Sequence, residues 1–306
     1  MVTPTKSIWL DGRFVPWDEA KIHVLTHTLH YGVGVFEGIR CYKRADGSSA
    51  IFRLKEHIDR LFESSQIVLM KIPYTREEIT KACVDLMKDN EMAEGYLRPL
   101  VFYGDENMGL GASNPVRVTI VTWHWGAYLG EEGLKKGIRA KISSFSRSGV
   151  NMAMVKGKIV GQYVNSILAK REALMAGYDE GIMLDSEGFI SEATGENVFM
   201  VKNGMLFTAP YGSSILGGIT RDTVVTLARE ANVPIFMERF SRDMLYTADE
   251  IFFTGTAAEI TPVREVDGRV IGDGKPGPIT VEIQRAFFDV VKGDTVKHPE
   301  WLTFIK

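Results

Sequence analysis

Apolar residues recur at helical spacing over residues 56–70, and Pro73 follows as a stop signal. The members of this face are Ile58, Leu61, Phe62 and Ile67. Thr75 and Glu78 then form a capping-box pattern, in which each side chain can bond the other residue's backbone N–H. This pattern predicts a second helix. Its predicted inner face consists of Ile79, Ala82, Cys83 and Leu86.

Other parts of the first third of the chain have strand character. Two short apolar runs flank Asp11-Gly12, which predicts a hairpin with a tight turn, because glycine tolerates positive φ. Residues 96–103 and 116–121 are predicted strands of one sheet. The first part is therefore interpreted as an α+β unit of strands and two helices.

Residues 123–136 are rich in Trp, Gly and Glu without a clear period, which is typical of a linker. We therefore predict a small domain over 1–122, an interdomain loop over 123–136 and a larger, sheet-rich domain over 137–306. Residues 161–177 are predicted to form a helix that ends at Gly177, a left-handed C-cap. Its predicted inward residues are Val164, Ile167, Leu168, Leu174 and Met175. Strands are predicted within 181–208, and helices over 220–231, 241–248 and 280–291.

Composition excludes several classes of function. The chain has 306 residues and a formal net charge of −3 without long like-charge blocks, which argues against a nucleic-acid surface. No segment has the length of uncharged apolar residues that a membrane span needs, and the first nine residues lack the apolar core of a signal peptide. Cys41 and Cys83 lie far apart and form no metal or redox spacing. A cytoplasmic protein that acts on small molecules is expected.

Two segments, 157–163 and 190–197, carry the candidate chemistry. Lys158 lies on a short linker before a predicted helix, where a partly neutral amine could form a Schiff base with an aldehyde cofactor. Glu192 could face a pyridine nitrogen and keep the ring protonated, so that the ring withdraws electrons from a carbanion. These are requirements of pyridoxal phosphate chemistry. By themselves the two residues prove little, and a surface lysine and a solvated acid are the simpler interpretation.

Several residues are candidates for binding anions. Residues 216–221 place two glycines before a predicted helix start, where backbone N–H groups and the Thr220 hydroxyl could bind phosphate; a plain N-cap is the alternative. Thr256 could hold a second phosphate oxygen or belong to an ordinary turn. Arg60 could reach a phosphate through paired hydrogen bonds. Arg98 interrupts an apolar strand and needs an anionic partner, either a substrate carboxylate or Glu196.

The histidines and glycines near the N-terminus suggest two further ligands. His23, His27 and His30 could cluster on a helix and bind a metal, but no Asp, Glu or Cys accompanies them at ligand spacing, so a polar pocket wall is the favoured interpretation. Gly32-Val33-Gly34 with Gly38 lacks the dinucleotide spacing, which excludes a nicotinamide site there. We therefore predict no metal and no nicotinamide cofactor.

Together these segments resemble the class IV aminotransferases, which have the fold of D-amino-acid aminotransferase, and within them the branched-chain amino acid group. The resemblance extends over nearly the whole chain. Its motifs are His30-Tyr31-Gly32, residues 35–40 (VFEGIR), residues 96–99 (YLRP), Ile190-Ser191-Glu192, Gly195-Glu196-Asn197 and residues 255–262 (GTAAEITP). The segment after the lysine departs from the family pattern, because Ile159, Val160 and Gln162 replace small residues and an asparagine.

The resemblance implies a role for each matching residue. Lys158 would be the Schiff-base lysine, Tyr163 would bond the phenolic oxygen of pyridoxal 5'-phosphate, and Glu192 would pair with its pyridine nitrogen. The residues implied to hold the phosphate are Arg60, Ile219, Thr220 and Thr256, and Leu216 is a further residue implied to bind the cofactor. Those implied to receive the substrate α-carboxylate are Tyr96, Thr256, Ala257 and Ala258. Those implied to form the side-chain pocket are Tyr31, Phe36, Gly38, Arg98 and Tyr128, the last from this chain or from a neighbouring subunit.

The implied reaction is transamination between branched-chain L-amino acids and 2-oxoglutarate by a ping-pong mechanism, in at least a homodimer, with amino acids and 2-oxo acids as the small-molecule partners. Lys156 lies near Lys158, so the assignment of the lysine depends on the register of Gly161 to Tyr163. A D-amino-acid aminotransferase and an aminodeoxychorismate lyase are alternatives on the same fold. A binding or scaffold protein that has lost its cofactor is the non-catalytic alternative.

Overall fold

The computed structural model describes residues 2–305, which pack as two compact units. The first unit comprises residues up to Trp125, the short segment Gly157–Gln162, and the chain from Asp289 onward. The second unit comprises Gly126–Lys156 and Tyr163–Phe288. The three ranges expected from the sequence, 1–122, 123–136 and 137–306, therefore differ from these units. The segment that carries Lys158 belongs to the first unit by its packing, although it lies within the range expected for the second domain.

The described residues form eight α-helices and short 3₁₀ turns at Trp17–Glu19, Val160–Gln162 and Pro299–Trp301. The helices are α1 (His27–Tyr31), α2 (Leu54–Ile67), α3 (Arg76–Asp89), α4 (Glu131–Lys136), α5 (Tyr163–Met175), α6 (Ile219–Glu230), α7 (Arg242–Tyr246) and α8 (Pro278–Lys292). In the part of the chain that the structure covers, no helix combines the length and the apolar character that crossing a bilayer requires.

Seventeen strands lie in the described residues. They are β1 (Ser7–Leu10), β2 (Arg13–Pro16), β3 (Gly34–Phe36), β4 (Ile39–Lys43), β5 (Ser49–Phe52), β6 (Gly95–Tyr103), β7 (Val116–Trp123), β8 (Ile138–Ile142), β9 (Glu180–Leu184), β10 (Ile190–Ala193), β11 (Asn197–Lys202), β12 (Met205–Thr208), β13 (Ile235–Met237), β14 (Glu250–Gly255), β15 (Glu259–Val266), β16 (Arg269–Val270) and β17 (Leu302–Phe304).

The first unit is an antiparallel sheet packed against α2 and α3. Its strand order is β17-β5-β4-β6-β7-β1-β2, with β3 paired to β6. The predicted hairpin is confirmed, because Asp11 and Gly12 both have positive φ between β1 and β2. The predicted capping box is also confirmed: the Thr75 hydroxyl accepts from the Glu78 N–H at 3.2 Å, and the Glu78 carboxylate accepts from the Thr75 N–H at 2.7 Å. The predicted inner face of α3 is buried.

The second unit is a mixed sheet of order β10-β9-β8-β15-β14-β11-β12-β13, with β16 on β15. A single pairing of Glu192 with Asn197 joins β10 to β11 and so closes six of these strands into a ring. The closing pair therefore fixes the position of Glu192, one of the predicted site residues, across from Asn197. The turns expected within residues 181–208 are present, at Gly188 and at Asn203-Gly204, where φ is positive.

Two expectations about helices are wrong. The helix predicted over 161–177 begins at Tyr163, after the 3₁₀ turn. Its inward face was expected to be apolar, but its buried residues are the small Ser166, Ala169 and Ala173. The predicted inward residues Val164, Ile167, Leu168, Leu174 and Met175 are all exposed. The sheet accepts α5 at close range, so small side chains face inward while large apolar ones point away from the unit. In α2, the terminal Ile67 is likewise exposed rather than inward.

The predicted loop over 123–136 is partly regular. Trp123 completes β7, and residues 131–136 form α4, whose first turn carries Glu131 and Glu132 and whose last turn carries Lys135 and Lys136. This charge order matches the helix dipole, in which the N-terminus is positive and the C-terminus negative. The local charge pattern therefore indicated a short helix that a search for apolar periodicity could not detect.

Candidate active site

The segment that carries Lys158 is fixed by hydrogen bonds within the first unit. The Lys158 N–H donates to the Ser64 hydroxyl at 2.9 Å, and the Lys158 carbonyl accepts from the Phe36 N–H at 3.1 Å. The Gly161 N–H donates to the Gly32 carbonyl at 2.9 Å, and a Cβ on Gly32 would come within 2.9 Å of the Gly161 backbone. The backbone of Lys158 is therefore held on both sides, by Ser64 and by Phe36.

The structure separates Lys158 from the nearby Lys156. The Lys156 amine, in the second unit, donates to the carbonyl oxygens of Tyr211, Ser213 (2.9 Å) and Ile215 (2.8 Å). All three of its N–H bonds are thereby used. The Lys158 amine lies 4.9 Å from the centre of the Phe36 ring. The Lys156 amine is thus occupied by backbone carbonyls, and the assignment of Lys158 as the Schiff-base lysine stays a prediction.

Phe36 joins the Lys158 amine to a group of aromatic rings around Arg98. The Arg98 guanidinium carbon lies 4.8 Å from the Phe36 ring centre and 5.6 Å from those of Tyr96 and Trp123. Its Nε is buried and makes no hydrogen bond, and no carboxylate within residues 2–305 pairs with it. Cation–π contacts partly compensate this charge. Arg98 is thus a cation with unused hydrogen-bonding capacity in an apolar setting, and Glu196, the alternative partner, is not bonded to it.

Gly38 has a steric role beside Tyr96. A Cβ at Gly38 would lie 1.8 Å from the Tyr96 hydroxyl oxygen, so no other residue fits there with Tyr96 in this position. Tyr96 itself is buried and packs against Trp123 and Trp125 at ring-centre distances of 5.2 and 4.7 Å. Gly38 therefore sets the position of the Tyr96 hydroxyl, a role that the motif alone did not indicate.

Arg60 belongs to a buried charge cluster on the first unit. Its Nε and Nη2 donate to the two carboxylate oxygens of Glu37 at 2.6 and 2.9 Å, and His57 Nδ1 lies 2.7 Å from Glu37 Oε2. Burial raises the pKa of Glu37, but the charges and hydrogen bonds of Arg60 and His57 outweigh it and hold that pKa far below its usual range. Burial, offset in part by Glu37, lowers the pKa of His57; the positive charges of Arg60 and Lys158 lower it further.

The histidines expected to be metal candidates have other partners. His27 Nε2 lies 2.8 Å from the Gly109 carbonyl and His30 Nε2 lies 2.8 Å from the Val24 carbonyl, whereas His23 Nδ1 accepts from the Leu25 N–H. Residues 2–305 contain no group of three or more His, Cys, Asp or Glu side chains that could hold a metal ion. Tyr31 ends α1, half-exposed, with its ring 4.6 Å from that of His27.

Glu192 is the best-connected acid of the second unit's candidate residues. Its carboxylate pairs with Arg147 at 2.6 Å and accepts from the Leu216 N–H at 2.9 Å and from Asn197 Nδ2 at 3.2 Å. The side chain is almost fully buried. An arginine and two neutral donors favour the carboxylate form, which a partner for a protonated pyridine nitrogen requires. Sequence analysis missed Arg147, because a long stretch of chain separates it from Glu192.

The predicted phosphate loop leads into α6. Gly218 is the N-cap, Ile219 is the first residue of the helix and Thr220 is buried in its first turn. A Cβ on Gly218 would lie 2.0 Å from Asn197 Oδ1, so the glycine allows the loop to approach that side chain. The helix start presents free N–H groups and the positive end of the dipole, which suit an anion.

Thr256, Ala257 and Ala258 form the turn between β14 and β15. The Ala258 carbonyl accepts from the Thr261 hydroxyl at 2.7 Å, which braces the turn. Near it, at the end of β14, the Thr254 hydroxyl is buried without a hydrogen-bond partner in the described part of the chain. Tyr163 begins α5, and the ring centre of the half-exposed Tyr128 lies 5.3 Å from the Lys170 amine.

Each unit supplies groups whose chemistry fits a phosphorylated pyridine cofactor. The first unit offers an amine and an arginine, and the second offers a buried carboxylate, a glycine-capped helix start and a braced turn with an unpaired hydroxyl nearby. Gly38 and Gly218 leave no space for a Cβ, the first beside the Tyr96 hydroxyl and the second beside the Asn197 amide oxygen. An amine, a buried carboxylate and an anion-binding helix start are groups that a pyridoxal phosphate site needs.

Comparison with known proteins confirms the predicted family and fold. The family model of the class IV aminotransferases matches residues 34–266. A branched-chain-amino-acid aminotransferase of Pseudomonas aeruginosa is 52% identical over 98% of this chain and 97% of the relative, and that of Escherichia coli K12 is 46% identical over 96% of both.

Solved structures of relatives agree over the whole fold. The branched-chain aminotransferase of Escherichia coli superposes with a TM-score of 0.96 and 45% identity, covering 99% of this chain and 100% of the relative. That of Thermobaculum terrenum, solved in its PLP form, gives a TM-score of 0.93 and 35% identity over 99% of both chains. With the matching family model and full-length relatives, this chain belongs to the class IV aminotransferase family.

Proposed function

We propose that this chain transfers the amino group of leucine, isoleucine or valine to 2-oxoglutarate with pyridoxal 5'-phosphate as cofactor. The observation that carries the proposal is the Phe36 ring, which contacts both the Lys158 amine and the Arg98 guanidinium. A branched side chain needs an apolar wall, and the side chain of glutamate needs one cation in the same place. An apolar ring that carries a cation without a carboxylate partner meets both needs.

The chain's own residues supply the proton transfers and the binding. When bound, pyridoxal phosphate supplies an electron-withdrawing ring that stabilises negative charge at the substrate α-carbon. Lys158 Nζ would take the proton from that carbon as a base and deliver it to the cofactor as an acid within the same half of the cycle, and it would move a proton in the opposite direction in the second half. Glu192, oriented by Arg147 and the Leu216 N–H, keeps a proton on the pyridine nitrogen.

The remaining candidates bind and orient. The residues that hold the phosphate are Arg60, Ile219, Thr220 and Thr256, whereas Leu216 contributes to the cofactor site through its N–H bond to Glu192. Tyr163 donates to the phenolic oxygen of the cofactor. Tyr96 and the backbone of Thr256, Ala257 and Ala258 receive the substrate α-carboxylate. Tyr31 and Tyr128 wall the side chain, and Gly38 contributes by leaving room for the Tyr96 hydroxyl.

We also infer that the chain forms at least a homodimer. The apolar side chains Val164, Ile167 and Leu168 of α5 are exposed, and so are Val24 and Leu29 of the first unit. Exposed apolar residues grouped on one element commonly mark a protein interface. Cys41 and Cys83 are buried thiols without a disulfide, which fits the cytoplasmic location expected from the sequence.

The deciding experiment is the absorption spectrum of the protein saturated with cofactor, before and after addition of L-leucine without an oxo acid. Loss of the visible band with a rise in the near ultraviolet is expected. L-leucine without an oxo acid allows only the first half-reaction, in which its amino group passes to the cofactor. D-leucine is the control. A visible band that L-leucine leaves unchanged contradicts the substrate assignment, and a colourless protein after incubation with cofactor contradicts the whole proposal.

A further inference from the structure

The Lys156 amine is bound in a cage of backbone carbonyls within the second unit. Tyr211, Ser213 and Ile215 each supply one carbonyl oxygen to Nζ. A carbonyl can only accept, so three such bonds require three N–H donors, and a lysine side chain has three only as an ammonium ion. The amine also lies over the Tyr211 ring, 4.4 Å from its centre. This arrangement resembles the oxygen cage of a bound monovalent cation.

The caged loop leads directly to Glu192. Leu216 directly follows Ile215, the last residue whose carbonyl binds the Lys156 amine. The Leu216 N–H donates to Glu192 Oε2 at 2.9 Å, and the Leu216 carbonyl accepts from Asn197 Nδ2 at 3.0 Å. The Ser191 hydroxyl donates to the Ser214 carbonyl at 2.6 Å. The loop is therefore held from one side by Lys156 and from the other by the strand that carries Glu192.

Electrostatics connect the same groups. Burial lowers the pKa of Lys156, and the negative charge of Glu192 raises it. The ammonium therefore contributes to the field at Glu192 although no hydrogen bond joins them. Loss of the ammonium would remove both a positive charge and the three bonds that order the loop.

We propose that Lys156 is a positioning residue: its ammonium serves as a built-in monovalent cation that fixes residues 211–216 and thereby directs the Leu216 N–H at Glu192. The proposal rests on the proposed role of Glu192 toward the cofactor. In this role Lys156 acts through residues 211–216 and not by contact with substrate or cofactor. The two lysines that the sequence left as alternatives thus have separate functions, with Lys158 reactive and Lys156 structural within the site.

The test compares K156A with K135A, which removes an exposed lysine at the end of α4 in the same unit. Cofactor-free protein is titrated with pyridoxal phosphate, and the pH midpoint of the visible band is measured for each saturated variant. K156A is expected to lower cofactor affinity roughly tenfold to hundredfold, by analogy with the loss of metal affinity when a residue that supports a metal ligand is removed. It is also expected to shift the pH midpoint, whereas K135A leaves both values at those of the wild type.

Chemical rescue separates positioning from folding. Methylammonium can enter the space left by K156A and bond the same carbonyls, so it is expected to restore cofactor affinity, whereas tetramethylammonium, which has no N–H, does not. Unchanged affinity and midpoint in K156A, or loss that methylammonium fails to restore, would overturn the proposal. If K156A does not fold, S191A, which removes only the hydroxyl bond to Ser214, is expected to lower affinity in the same direction, and unchanged affinity there contradicts the proposal.

Failure of the proposed function can be distinguished from failure of the Lys156 proposal. A wild type that binds the cofactor but does not react with L-leucine contradicts the substrate class, whereas the cofactor titrations of the variants still test Lys156.

Discussion

The two units each bury a glutamate, and the two carboxyl groups behave in opposite ways. Glu37 in the first unit is fully buried, but Arg60 and His57 hold its pKa far below the usual range. Glu196 in the second unit is also buried, and burial together with the nearby Glu180 raises its pKa to about 8. Burial acts in the same direction on both groups, so the neighbours decide the outcome.

The difference lies in where the positive charge is placed. In the first unit, the arginine bonds both oxygens of Glu37 directly. In the second unit, the Lys170 amine bonds Glu180 at 2.6 Å, and among residues 2–305 the Glu196 carboxyl group accepts a hydrogen bond only from the Gly195 N–H, at 3.0 Å. A cation that already pairs with one carboxylate stabilises the charged form of a second carboxylate only weakly. The first unit therefore contains a charged cluster, whereas the Glu196 carboxyl group of the second unit is uncharged near neutral pH.

The largest expected effect comes from breaking the matched cluster. Glu37→Gln leaves Arg60 and His57 without their shared carboxylate, so the free energy of unfolding should fall by about 3–5 kcal/mol. Urea denaturation of the cofactor-free protein measures this change. Glu63→Gln, on the exposed side of α2, is the control and should change little. A loss below about 1 kcal/mol in Glu37→Gln would show that the cluster is not a significant source of stability.

The second effect depends on pH. A carboxyl group with a raised pKa in the folded state binds more protons there than in the unfolded state, so stability falls as pH rises from the ordinary value of 4.5 to about 8. Glu196→Gln stays neutral and should escape this loss. Its unfolding free energy should match the wild type at pH 5 and exceed it on the order of 3 kcal/mol near pH 8.5.

The control for this comparison is Glu282→Gln, at an exposed position of α8. Its difference from the wild type should be small and constant across the same pH range. A difference between Glu196→Gln and the wild type that does not grow with pH would mean that Glu196 is ionised in the folded protein, and the contrast with Glu37 would then disappear.

The third test concerns Arg98, whose guanidinium contacts aromatic rings and pairs with no carboxylate of the described residues. Arg98→Ala should lower kcat/KM for 2-oxoglutarate by about 100-fold, the loss typical of removing one partner of a charged pair. Turnover of L-leucine should fall much less, since its side chain carries no charge. Steady-state kinetics with each substrate varied in turn measure the ratio. Equal losses for both substrates would contradict the proposed role of Arg98.

The smallest effect is expected for an exposed pair. Lys81 and Asp85 are one helical turn apart on α3; the Lys81 side chain is largely open to solvent and that of Asp85 is partly exposed. Lys81→Met should cost less than about 0.5 kcal/mol, because water screens the pair and ordering two side chains opposes it. Urea denaturation of Lys81→Met and Glu37→Gln under the same conditions compares their losses of unfolding free energy. A cost similar to that of Glu37→Gln would show that burial does not determine the strength of these pairs.

The sequence by itself determined the parts of this protein that depend on local interactions. The capping box at Thr75 and Glu78, the hairpin at Asp11-Gly12 and the cap at Gly177 follow from bonds and φ preferences within a few residues. The motifs also sufficed to identify the family, because several occur in one order over nearly the whole chain. Lys158 and Glu192 were identified with them, while their roles stay proposals.

Only the tertiary structure decided which partners each buried charge has. Arg147 meets Glu192, and Lys156 binds carbonyls from residue 211 onward, although dozens of residues separate these groups in the chain. The outward apolar face of α5 has the same origin, since the distance to the sheet selects small residues for the inner side. The strength of an interaction between buried charges depends on the distance between them in space. Periodicity along a chain carries no information about such distances.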